Sequence, residues 1–238
     1  MIRIKKASGH IEVVLSFVIF ISFVIFLFAM FPVYQIKKSE IGLDSAERGI
    51  LNFTSAKANY FVIVLNKSTQ CFSYPSQDIS SKLIVRNSSG GRINAKSEGG
   101  IWYVQETALL NDKFYGFYYS SEFSEEGYGV ISGECKNLTN QSISYEIGLV
   151  RRDEVVSYSK MASLINNYNL KYGEIRGNFS MPAGENFEFS VVDLKGNIIL
   201  NASRKKPERT TVLSRNTPIQ MVYNNGTYVF GMLNTRTW

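Results

Sequence analysis

The chain has 238 residues, 45% hydrophobic and 19% charged, with a formal net charge of +6. That charge is not a nucleic-acid signature. Arg3, Lys5 and Lys6 crowd the first seven residues, and the later groups, Arg151-Arg152 and Arg204-Lys205-Lys206 with Arg209, are short and interrupted by acids or Pro207. The single histidine, His10, stands at the very start, so the body of the chain has no Ser–His or Cys–His pair for nucleophilic catalysis. No glycine loop has phosphate-cradle or dinucleotide spacing, and no cofactor, metal ion or enzymatic activity is expected.

The first element is a basic leader, residues 1–7. Residues 13–31 follow as an uninterrupted apolar run whose only polar members are Ser16 and Ser22. Nineteen residues at about 1.5 Å each span roughly 28 Å, the hydrocarbon thickness of a bilayer. A core helix of this length would show a polar face, and this one has none. The reading is a transmembrane helix over residues 8–34. Arg3, Lys5 and Lys6 precede it without an acid, whereas Lys37 and Lys38 are followed by Glu40. The positive-inside bias therefore places the N-terminus in the cytoplasm and the C-terminal part outside a plasma membrane crossed once.

Pro32 is expected to kink the helix. Residues 35–58 read as a helical stalk, with Asp44-x-x-Glu47 as a capping pair and Leu43, Ile50 and Leu51 as its apolar face. Gly42 and Gly49 weaken that helix. Residues 59–150 read as a β-rich part of an ectodomain, with strands near 60–65, 82–85, 101–106, 114–119, 129–131 and 144–150. Ser89-Gly90-Gly91 and Glu98-Gly99-Gly100 are turns between them. Residues 151–238 read as a smaller α+β part. Met161, Leu164, Ile165 and Tyr168 give a helix near 159–168, and Phe187, Phe189 and Val191 begin strands that turn at Lys195-Gly196-Asn197. Asn225-Gly226 marks a hairpin between 219–223 and 228–233, both positions tolerating positive φ. The fold class is thus α+β: one N-terminal transmembrane and stalk helix, then a mostly antiparallel β ectodomain with one short helix.

Eight Asn-x-Ser/Thr triplets begin at Asn52, Asn66, Asn87, Asn137, Asn140, Asn178, Asn201 and Asn225. With 19 Asn and 37 Ser plus Thr in the chain, chance gives roughly three, and the excess points to a glycosylated external domain. Cys71 and Cys135 have no metal-ligand company. A bond between them would close about 64 residues and contribute on the order of 4 kcal/mol; two buried thiols are the alternative. Glu122, Glu125 and Glu126 lie near Asp112 in the reading as an acidic cluster, but alternating oxygen ligands for Ca²⁺ are missing, so a solvated loop is expected.

The head of the chain carries one further pattern. Lys5-Lys6, the small Ala7, then Ser8 and, five residues into the chain that begins there, Glu12, resemble the class III signal peptides of archaeal type IV pilin-like proteins and archaellins. Many of those carry Gly before the cut and Gln after it; this chain has Ala7 and Ser8. A cut after Gly9 would leave Glu12 third. Tyr145-Glu146-Ile147-Gly148-Leu149-Val150-Arg151, Phe187-Glu188-Phe189 and the ending Gly226-Thr227-Tyr228, Gly231, Trp238 are similar to a set of pilin-like proteins from small-genome archaea. The resemblance implies cleavage between Ala7 and Ser8 by a prepilin-type peptidase, with the apolar helix retained. It implies assembly with other pilin-like subunits, Glu12 being neutralised by the new amino group of a neighbour. A carboxylate at the mouth of a membrane helix otherwise costs up to about 3 kcal/mol. The expected function is a pilin-like or pseudopilin-like structural subunit of a surface filament or secretion-type assembly. The alternative is a stand-alone, signal-anchored adhesion or binding protein.

Overall fold

A computed structural model of the chain describes residues 5–66, 69–75, 82–106, 113–124, 131, 135–138, 144–208 and 210–238, with the backbone alone for 5–11 and 31–39. The architecture is α+β: a long N-terminal helix, two shorter helices and one large, mostly antiparallel sheet. The strand expected at 129–131 falls almost wholly outside the described residues.

Helix α1 runs without interruption over Lys5–Thr54, 50 residues or about 75 Å, with Pro32 inside it. The segments expected to cross the membrane and to form the stalk are therefore one continuous helix. It ends at Thr54, short of the expected 58: the Thr54 hydroxyl donates back to the Ile50 carbonyl at 2.7 Å and strand β1, Ser55–Leu65, begins at once. The chain continues through β2 (Cys71–Pro75), β3 (Lys82–Asn87), β4 (Arg92–Glu98), β5 (Ile101–Gln105), β6 (Phe114–Ser120), β7 (Lys136–Asn137) and β8 (Tyr145–Ser157). Then come α2 (Tyr158–Leu170), α3 (Tyr172–Asn178), β9 (Phe187–Asp193), β10 (Ile198–Ala202), β11 (Leu213–Val222) and β12 (Tyr228–Thr237). Strands join in the order β10-β9-β12-β11-β8-β1-β6-β3-β4-β5-β2-β7. Neighbours are antiparallel except β11 with β8 and β2 with β7, each joined in parallel by two residue pairs.

Three tight turns share one construction. Asn87, Asp193 and Tyr223 each accept from the amide three residues on and donate to the carbonyl four residues on. The glycine at the left-handed position is Gly90, Gly196 or Gly226. This is a type I turn closed by a glycine bulge. At Asn225-Gly226 only the glycine has positive φ; the asparagine instead accepts from the Thr227 amide at 3.0 Å. The hairpin loop is consequently longer than the two-residue turn the Asn-Gly pair suggests. Gly99 and Gly100 both have positive φ and make the two-residue turn between β4 and β5.

Side chains from the sheet and helices pack into two large cores. In the first, Ala46 and Ile50 of α1 meet Met161, Leu164 and Tyr168 of α2, Ile175 of α3, and Phe187, Phe189 and Leu233 of the sheet. The second is aromatic: Phe61, Phe72, Trp102, Tyr115 and Phe117 surround Ile63, Leu83 and Val85. A smaller cluster of Ala56, Ala58, Ile84, Phe123, Val155 and Val222 joins them where β1 and β8 pass between the two. Strand β8 runs on past position 150: its charged Arg151-Arg152 and Glu154 are exposed, while Val155 turns into the smaller cluster and Val156 into the first core.

Candidate functional site

The N-terminal helix divides by environment. Glu12–Met30 is the one described segment long and apolar enough to cross a membrane, and none of it is buried against the rest of the chain. Phe28 is 76% exposed, Val13 70% and Phe17 63%. Covering a large apolar side chain is worth about 1.5–3 kcal/mol, so a bare row of this length is suited to a covering of lipid or of other helices. Glu12, exposed, stands at the N-terminal end of the row. Ser8 lies four positions before it on the same helix, hence on the same side of the backbone cylinder.

The second part of α1 is built to be held. Leu43, Ala46 and Ile50, at spacings of three and four, are buried. Gly42 and Gly49, two helical turns apart, mark close approaches. A Cβ at Gly42 would overlap the Glu185 carboxylate, and one at Gly49 would overlap the Phe179 ring. The two glycines therefore do not loosen the stalk, as helix propensity alone suggests; they let α1 settle onto the segment between α3 and β9. Asp44 and Glu47 do not form a cap either, since both lie well inside α1. Arg215 of β11 reaches Asp44 at 2.6 Å and Glu47 at 2.9 Å. The Thr217 hydroxyl donates to Glu47 at 2.6 Å. Hydrogen bonds from Arg215 to Asp44 and then Glu47 hold its guanidinium more firmly protonated than usual.

A second polar knot secures the upper end. Ser157 caps α2, its hydroxyl accepting from the Lys160 amide and donating to Glu122 at 2.7 Å. Lys160 pairs with Glu122 at 3.0 Å and donates to the Ser55 carbonyl, where α1 gives way to β1. Burial pushes the Glu122 carboxyl up, but the hydrogen bonds of Ser157, Lys160 and Ser159 outweigh it and hold the carboxyl below the ordinary range. Glu122 is thus a structural anchor and not part of a solvated loop. Glu125, Glu126 and Asp112 lie outside the described residues. Among the described residues no cluster of His, Cys, Asp and Glu has the makings of a metal site.

The remaining expected residues distribute as follows. Cys71 is bonded to Cys135, tying β2 to the chain entering β7. Asn52, Asn66, Asn178, Asn201 and Asn225 are exposed, and Asn137 is half-buried in β7. Asn87 is buried, its side-chain oxygen accepting from the Ser89 hydroxyl and the Gly91 amide. Asn140 lies outside the described residues. Ala7 and Ser8 lie on the first turns of α1. The basic run at 204–206 is more than solvated surface: Arg204 stacks over the Tyr172 ring at 3.9 Å, and Lys206 pairs with the buried Glu188 at 2.6 Å.

A groove of about 280 Å³ opens where α1 ends, between β8 and β11, lined by Leu51, Asn52, Glu154, Pro218 and Gln220 among others. No group in it is placed as a nucleophile beside a base. Comparison of the chain with protein families, with curated proteins and with solved structures found no match. The seat of α1 is what sequence reading missed. Its signal was present as two glycines seven residues apart inside a helical pattern, a spacing that repeats on one helix face.

Proposed function

We propose that this chain is a membrane-anchored, pilin-like or pseudopilin-like structural subunit of a surface assembly, without catalytic activity. The observation that carries this is the division of α1 itself. One continuous helix presents a bare apolar half, Glu12–Met30, and seats its other half against the rest of the chain through Leu43, Ala46, Ile50 and Arg215. A flexible tether would suffice for a solitary surface protein. A rod fixed to its ectodomain transmits the orientation of packed helices to the domains they carry. In this reading the basic head stays in the cytoplasm, a prepilin-type peptidase cuts between Ala7 and Ser8, and the glycan-bearing ectodomain faces outward. Glu12 then meets the new amino group of an adjacent subunit as helices dock.

The N-terminus of the protein recovered from its native membrane tests this by peptide mass spectrometry. A chain beginning at Ser8 is expected. A start at Met1 or Ile2 overturns the processing and leaves a signal-anchored surface protein. Glu12→Ala should be processed normally yet lose assembly, and its unimpaired assembly would remove the docking role.

A further inference from the structure

Strand β8 is bonded along its length to β1, but on its other edge, among the described residues, only Val156 and Ser157 have strand partners, in β11. The rest of that edge is open, and it is apolar: Ile147 is 48% exposed, Leu149 61% and Val150 69%. Exposed edges of this kind are ordinarily blunted by proline, charge or shortness. The facing edge of β11 carries Pro218 and Arg215, and the strand at the β7 end is two residues long. Within 147–150 strand β8 carries neither proline nor charge, Glu146 and Arg151-Arg152 lying at its two ends; β10, also without either, pairs only with β9 among the described residues and exposes 65% of Ile198.

We infer that β10 of one copy adds to the open edge of β8 in the next, so that the sheet continues from subunit to subunit. This rests on the reading of the chain as an assembling, membrane-anchored subunit. The sheet supplies the direction. β8 and β11 are parallel, and β12, β9 and β10 follow by three antiparallel steps, so β10 runs opposite to β8. Neighbours whose helices cross the membrane the same way therefore bring β10 to β8 antiparallel. With Ile198 opposite Val150, Ile199 meets Leu149 and Lys195 meets Asp153. Arg204 then falls beyond the Glu146 end, and Arg151, itself paired with Asp153 at 2.6 Å, and Arg152 come to lie opposite the uncharged Asn197 and Gly196. In this register the five residues of β10 face 146–150, so the run straddles the bulge in β8 between Ile147 and Val150, and β10 carries a bulge of its own between Ile198 and Leu200. Two different edges make a heterologous contact that does not close on itself, and the product is a chain of subunits. A sugar on Asn201 is compatible with it, because strand side chains leave at right angles to the pairing edge.

The test is disulfide cross-linking of the full chain in its membrane, with Val150→Cys and Ile198→Cys in one protein. Both positions are solvent-exposed, and the native cysteines are bonded to each other. A ladder of dimer, trimer and longer species is expected, with dimer yield at least tenfold above either single variant. An equal dimer yield from Val150→Cys alone, or no ladder, overturns the pairing. Phe17→Cys, run beside it, separates the two readings. Cross-links through Phe17→Cys without any between 150 and 198 leave assembly standing and remove the edge contact; absence of both removes assembly as well.

Discussion

The two halves of α1 are one helix with two kinds of surface. Over Glu12–Met30 every side the helix presents is apolar and nothing in the chain covers it. Over 42–54 the buried apolar positions narrow to Leu43, Ala46 and Ile50, Gly42 and Gly49 stand where Glu185 and Phe179 come close, and Asp44 and Glu47 hold Arg215 beside them. The contrast teaches that continuity of a helix does not imply continuity of its role. The first half is shaped by an environment that is uniform around the axis, the second by one particular surface on one side.

Four substitutions break or sharpen that contrast. The largest effect belongs to Ile50→Ala, which opens a cavity among α1, α2 and the sheet. It should cost the ectodomain about 2–5 kcal/mol in denaturant unfolding in detergent, whereas Phe17→Ala in the bare half should leave that transition within about 0.5 kcal/mol. Gly49→Ala comes next. It drives a methyl into the Phe179 ring and should destabilise by about 1–3 kcal/mol despite raising helix propensity; a more stable variant would mean that the seat is loose. The smallest concerns the knot above the seat. Because the folded-state pKa of Glu122 is depressed, its contribution is present above the ordinary carboxylate range and is lost as pH falls through the folded value. Glu122→Gln should therefore be less stable than the parent at pH 7 by on the order of 1 kcal/mol, and the gap should shrink on acidification in paired melts at the two pH values. A gap independent of pH would place the effect in packing and not in charge.

Much of the fold was legible because its signals are local. The bare helix, the hairpin at Asn225-Gly226, the helix around Met161, Leu164 and Tyr168, and most strands announce themselves by period or turn chemistry. Strand β4, Arg92–Glu98, was not foreseen, since its buried positions are only Ile93 and Ala95 and its residues are otherwise polar. Helix α3, Tyr172–Asn178, contains Gly173 and Gly177 and reads as loop; Ile175 in the core and the cap at its end hold it in place. Strand β8 was cut short at Val150 because Arg151-Arg152 looks like an ending, yet one paired edge suffices to keep a strand extended while its charges stay in water.

By itself the sequence determined that a long apolar helix precedes an α+β body with two cysteines, because hydropathy, length and turn residues act over a few positions and need no partner. Only the tertiary structure decided what Gly42, Gly49, Asp44 and Glu47 are for, since their meaning lies in Glu185, Phe179 and Arg215, more than 120 residues away along the chain. It also decided which edges of the sheet stay open. Pairing is a property of neighbours in space, and an edge such as that of β8 exists only because β11 leaves it after two residues.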